Sequence, residues 1–244
     1  MSSRSVLRKG KLISRQYLYK APFILQKYIW ILKHRNELGK YEQFINSESA
    51  SWNKYNSIFI HIPKCAGISV ATALFGRQQV PAHLKLVNYK VLLPQEKFNN
   101  SFKFTFVRNP WDRVVSAYEY FLRGGRVAHD KQWADDILHH YSNFEEFVVE
   151  WVREENIWEK EHFALQSSFI NINGKPLVDF IGRYEEIDSD YEKLRGILKF
   201  GLPLPVINKT VNRKPYQSYY SDKTAAIVER VYADDILLLN YSFE

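Results

Sequence analysis

The sequence predicts an α/β fold: a parallel β-sheet flanked by helices, in a single main domain. Three observations carry this. Runs rich in aromatic and β-branched residues alternate with helix-periodic runs, the pattern of βαβ units. Two of the strand-like runs pass through a short polar turn straight into a helix. A chain of 244 residues that is 45% hydrophobic can also bury one sizeable core.

Each element has its own local cause. Residues 1–50 read as a basic helical arm, with a helix over 15–36, and 51–244 as the main domain. Ile58-Phe59-Ile60-His61-Ile62 places the first strand at 56–62, and Pro63 stops it. A helix over 67–76 follows. Phe102 to Val107 is aromatic and β-branched and gives a buried strand near 102–108. Asn109 is a good N-cap and Pro110 fits the first helical position, so a helix runs over 110–123 until Gly124-Gly125 ends it. Ser142-Asn143 and Ser189-Asp190 read as starts of helices over 143–155 and 187–199. Asn173-Gly174 predicts a hairpin turn between 169–172 and 177–181. The third strand is expected at 177–184 and the last helix at 221–238.

Both strand–turn–helix passages have the makings of an anion site. N–H groups at a helix start have no internal partner, and the helix dipole favours negative charge there. The first passage, His61-Ile62-Pro63-Lys64-Cys65-Ala66-Gly67-Ile68-Ser69, adds a lysine. A Walker nucleotide loop needs its lysine after the last glycine of G-x-x-x-x-G-K-[ST]. Here Lys64 precedes Gly67, and no glycine stands five positions ahead of Gly67. The second passage, Val107-Arg108-Asn109-Pro110-Trp111-Asp112-Arg113-Val114-Val115-Ser116, carries an arginine and a hydroxyl.

Together these residues resemble sulfotransferases that use PAPS (3′-phosphoadenosine 5′-phosphosulfate), in particular a bacterial type of the carbohydrate sulfotransferase branch. The first passage is similar to that family's H-x-P-K-x-A-G-[TS]-S loop, with Ile68 where a hydroxyl residue is usual. The second is similar to its V-R-N-P-x-x-R-x-x-S segment. Val178-Asp179-Phe180-Ile181-Gly182-Arg183-Tyr184-Glu185, Pro205-Val206-Ile207-Asn208-Lys209 and the tail Asn240-Tyr241-Ser242-Phe243 extend the resemblance from about Tyr55 to the C-terminus. It implies the sulfotransferase fold, with a P-loop-like sheet, and transfer of a sulfuryl group from PAPS to a carbohydrate hydroxyl, leaving PAP.

The resemblance also implies roles. Lys64 sits at the bridging oxygen. The N–H groups of Cys65, Ala66, Gly67, Ile68 and Ser69, with the Ser69 hydroxyl, hold the 5′-phosphate, and Arg108 and Ser116 hold the 3′-phosphate. Lys209, Thr210 and Arg213 belong to a polar loop that folds over the cofactor in related enzymes. His83, in Val80-Pro81-Ala82-His83-Leu84, stands where the branch has its general base, with Ala82 in place of the usual glycine. His suits proton transfer at neutral pH. His61 is expected to be a buried, hydrogen-bonded residue, while His162 and Gln166 either pack or face the acceptor. Sulfuryl transfer needs no metal where fixed cations and N–H donors meet the developing charge. Two other classes stay open: a nucleotide kinase with an atypical phosphate loop, and a non-catalytic module binding a glycan or membrane.

One cysteine excludes an internal disulfide framework, and Cys65 reads as a small packing residue. No apolar run of 18 residues exists and no cleavable leader is evident, so a cytoplasmic, membrane-peripheral location is expected. The charge is uneven: residues 1–40 hold ten basic residues against one acid, Glu37, so the rest of the chain is slightly acidic although the whole carries +7. The basic, aromatic arm either packs on the core or meets a membrane or an anionic glycan; no nucleic-acid partner is expected.

Overall fold

The computed structural model describes residues 20–34, 36, 43, 46–47, 50–76, 83–205 and 214–244. In chain order they form α1 (Phe23–His34), α2 (Ser51–Lys54), β1 (Ser57–Ile60), α3 (Gly67–Phe75), α4 (Leu86–Leu92), α5 (Gln95–Asn100) and β2 (Phe102–Val107). Then come α6 (Pro110–Leu122), α7 (Ala128–Asp136), α8 (Phe144–Trp151), α9 (Ser167–Ile170), β3 (Asn171–Ile172), β4 (Lys175–Pro176), β5 (Phe180–Arg183), α10 (Ile187–Leu198), α11 (Asp222–Val231) and α12 (Ala233–Leu239). They gather into two compact units. One draws on described residues of 20–107 and 166–205, the other on 108–165 and 214–244.

The first unit holds a parallel three-stranded sheet of order β1-β2-β5. Ser57 pairs with Phe102 and Ile60 with Thr105, while Phe104 pairs with Phe180 and Val107 with Arg183. Every residue of β1 is buried, as expected of a parallel sheet covered by helices. Because the strands run the same way, the chain leaves β1 and β2 at one edge of the sheet. The Thr105 hydroxyl donates to the Ile60 carbonyl at 2.7 Å near that edge. The predicted turn is present, with Asn173 and Gly174 at φ 54° and 76°, the left-handed pair that a two-residue turn demands, but it joins β3 to β4 at 175–176 rather than to 177–181, and Phe180–Arg183 joins the parallel sheet instead.

Part of the expected arm is helical and packs on this unit. The Phe23 N–H donates to Asn173 Oδ1 at 2.7 Å, Lys90 of α4 lies 4.6 Å from the centre of the Phe23 ring, and Gln26 and Trp30 are buried.

The second unit is helical. Asn109 caps α6 by accepting from the Trp111 N–H at 3.1 Å, with Pro110 in the first turn, as read from the sequence. Rings of Phe121, Trp133, Phe147, Trp151 and Phe163 form its core. A buried ion pair, Lys160 Nζ to Asp130 Oδ1 at 3.2 Å, lies against the Phe121 and Trp133 rings. Four differences from the sequence reading stand out. Helices α4, α5 and α7 were not foreseen. Helix α8 ends at Trp151, four residues before the expected 155. Helix α10 spans Ile187–Leu198, close to the expected 187–199, but its N-cap is Glu186 and not the Ser189-Asp190 start signal. The helix expected over 221–238 breaks at Tyr232, which is wholly buried and spends its hydroxyl on the Phe163 carbonyl at 2.7 Å.

Candidate active site

In the sheet-bearing unit, β1 delivers His61 and Ile62 to a turn over 63–66 that opens α3. Lys64 and Ala66 both have left-handed backbones, at φ 70° and 57°, whereas Cys65 between them does not. Side chains pay for that conformation, and alternating hands turn successive N–H groups toward one concave side, a nest suited to an anion. Lys64 is half-buried, Cys65 and Ser69 are buried, and Ile68 is half-exposed.

Two hydrogen bonds tie this turn and the residue 61 carbonyl before it to two other segments of the same unit, and a third joins those two segments to each other. The Cys65 thiol donates to Gln166 Oε1 at 3.3 Å, and both residues are buried. His83 Nδ1 lies 3.0 Å from the His61 carbonyl. Lys85 Nζ donates to Ser168 Oγ at 2.8 Å. The His61 bond also fixes a tautomer. A carbonyl only accepts, so neutral His83 must carry its proton on Nδ1 and its lone pair on Nε2. The two rings sit 4.4 Å apart. On its other side the buried His61 ring fills the space over Gly67, where a Cβ would come within 1.8 Å of His61 Cδ2. Gly67 is thus required by a neighbouring ring, not by its backbone angle.

The helical unit holds the second passage. Arg108 is buried, and its Nε donates to Asp112 Oδ2 at 2.7 Å, an i,i+4 ion pair. Ser116, half-exposed, lies one further turn along the same helix face. Arg113, in the same motif, is structural: its guanidinium donates to the Ala164 carbonyl at 2.8 Å and the Glu161 carbonyl at 3.2 Å. The helix start is tied to the tail, because Asn109 Nδ2 donates to the Ser242 carbonyl at 2.7 Å.

The structure therefore brings Lys64, Cys65, Ala66, Gly67, Ile68 and Ser69 together with His83 in one unit, and in the other it places Arg108 just before the N-cap of α6 and Ser116 on that helix. Lys209, Thr210 and Arg213 lie outside the described residues. His61 is buried and His162 stacks on Tyr120 at 4.9 Å, so both pack. Sequence reasoning missed Asp112 and the Gln166–Cys65 bond. The i,i+4 spacing from Arg108 was a readable signal for the first; nothing local announces a bond 101 residues long. Among the described residues no group of three or more His, Cys, Asp or Glu side chains is placed to hold a metal ion.

The profile of the sulfotransferase family matches residues 52–242. An uncharacterized protein of Archaeoglobus fulgidus is 34% identical over 106 residues, which cover 43% of this chain and 72% of that protein. No solved structure matches. Since the family profile spans both strand–turn–helix passages and most of the chain, the chain belongs to the sulfotransferase family.

Proposed function

We propose that this protein moves a sulfuryl group from PAPS to a hydroxyl of a carbohydrate, such as a cell-surface polysaccharide or glycolipid, with His83 as general base. The observation that carries the reading is the bond from His83 Nδ1 to the His61 carbonyl. The bond supports the reading because it makes Nε2 the nitrogen that takes the proton when His83 acts as base. The turn itself suits a phosphate group. Its alternating backbone hands face N–H groups inward at the positive end of α3, Lys64 adds a full charge, and Gly67 puts no side chain in the way. The P-loop-like character of the fold rests on this role.

In this reading the N–H groups of Cys65 to Ser69, with the Ser69 hydroxyl, hold the 5′-phosphate, and Lys64 neutralises the charge that gathers on it. Arg108 and Ser116 take the 3′-phosphate, with Asp112 orienting Arg108 through Nε. Lys209, Thr210 and Arg213 are assigned as further phosphate contacts on their sequence pattern. PAPS supplies an activated sulfuryl group and leaves as PAP. Lys64 and the N–H donors meet the developing charge directly, so no metal is required. His83 Nε2 removes the acceptor hydroxyl proton, and the resulting imidazolium keeps its Nδ1–H on the His61 carbonyl. The carbohydrate class follows the branch that the two passages resemble. A cytoplasmic location, with residues 1–40 meeting a membrane or an anionic glycan, belongs to the same reading.

Thermal-shift titration with PAP against AMP tests the cofactor. PAP should stabilise the protein more than AMP does, and Arg108→Ala should erase the difference; equal shifts for both nucleotides in the unmodified protein overturn the assignment. His83→Ala should abolish transfer of labelled sulfate while PAP affinity stays unchanged, and retained turnover reassigns the base.

A further inference from the structure

Helix α1 has a buried face and, opposite it, an exposed apolar one that is not covered among the described residues. Trp30 and Gln26 are 8% and 5% exposed and pack on the sheet-bearing unit. Ile24, Leu25, Tyr28 and Leu32 are 81%, 47%, 62% and 51% exposed. At 3.6 residues per turn these four fall within roughly a third of the circumference, opposite Gln26 and Trp30. Lys27 and Lys33 are exposed between this arc and the buried face, one on each side, and Lys20 lies just before the helix. From Lys20 to Asn36 the sequence contains no acid. A large apolar arc rimmed by cations marks an interaction site rather than an ordinary solvated face.

We infer that this outer face of α1 is a docking surface for an anionic lipid bilayer, lying in the plane of the interface. Charge complementarity selects an anionic partner, since the arm concentrates the positive charge of a chain that is otherwise slightly acidic. The apolar arc selects among anionic partners. A polysaccharide is hydrophilic and gives Ile24, Leu25 and Leu32 nothing to leave water for, whereas the boundary between headgroups and acyl chains does. Tyr28, with an apolar ring and a polar tip, suits the depth of the headgroups. The inner face keeps α1 on the protein while the outer face enters the membrane, so binding requires no unpacking of Trp30. The inference deepens the membrane contact proposed for residues 1–40 and does not depend on the sulfuryl-transfer chemistry.

The test is co-sedimentation of the full chain with phosphatidylcholine vesicles, with and without phosphatidylglycerol. The protein should bind the phosphatidylglycerol vesicles and lose affinity as salt is added. The triple variant Ile24→Ser, Tyr28→Ser, Leu32→Ser should bind about tenfold more weakly, with its circular dichroism, its thermal midpoint and the PAP-induced shift unchanged. Lys20→Gln with Lys27→Gln and Lys33→Gln should weaken binding to anionic vesicles by a similar factor. If the serine variant binds as tightly as the unmodified protein while the lysine variant does not, the arm's contact is electrostatic alone and this inference fails while the broader contact stands. No binding by the unmodified protein overturns both. Retention by soluble dextran sulfate but not by vesicles assigns the surface to an anionic glycan. A dimer in size-exclusion chromatography that the serine variant dissolves assigns it to a second copy of the chain. Either result overturns the bilayer.

Discussion

At the scale of single residues, Gly67 carries the sharpest consequence. A Cβ there would meet the His61 ring at 1.8 Å, and that ring also touches His83. Gly67→Ala should destabilise the protein by about 1–3 kcal/mol in urea unfolding and reduce PAP affinity, because either the ring or the anion turn must move. Replacing His61 by Ala in the same chain should recover much of the stability; a Gly67→Ala protein as stable and as tight for PAP as the original would refute the packing argument. The strand–turn–helix passage that holds Lys64 and Gly67 was legible in the sequence, and the order of those two residues distinguishes it from a Walker loop. The reason Gly67 is glycine was not legible. It depends on the direction of a ring six residues upstream, which one-dimensional spacing does not encode.

At the scale of elements, the buried strands and the capped helix α6 could be read because each has a local cause: β-branched runs, an Asn-Pro start, an Asn-Gly turn. Helices α4, α5 and α7 escaped because they are short, of seven, six and nine residues, and short helices owe their stability to packing more than to propensity. Helix α10 offers two tests. It ends at the exposed Lys199, held left-handed at φ 60°. Lys199→Gly should therefore stabilise the fold by about 1 kcal/mol, read as a rise in the thermal midpoint; a fall would contradict the strain. Near its start, Asp190 accepts from the Arg183 N–H and from Lys193 Nζ, each at 2.8 Å, tying α10 to β5. Burial pushes the Asp190 carboxyl up, but these two donors and their charges prevail and hold it below its ordinary 3.8. A depressed folded value stabilises the native state above pH 3.8, and the contribution is lost as pH falls through that lower value. Asp190→Asn should thus lower the urea midpoint at neutral pH and remove part of its decline in acid. An unchanged acid limb would show that the tie carries no linkage.

At the scale of the whole molecule, the chain crosses between the two units at Val107–Arg108 and again at Leu165–Gln166. The sheet-bearing unit therefore depends on a late segment: β5 pairs with β2, and Gln166 and Ser168 secure the anion turn and Lys85. A fragment of residues 1–107 contains β1, β2 and the whole anion turn, yet it should show no cooperative thermal transition by circular dichroism. A cooperative melt from that fragment would mean the late segment is dispensable. This interleaving could not be read from the sequence, since each half-motif looks self-sufficient and only the pairing of distant segments shows otherwise.

The bond between His83 and residue 61 has a consequence for heredity. Its acceptor is a main-chain oxygen, which every amino acid supplies alike. No codon change at position 61 can delete it. Substitution there can alter how the ring rests on Gly67, but the identity of the proton-bearing nitrogen at His83 is shielded from drift. An alanine scan would pass over this contact.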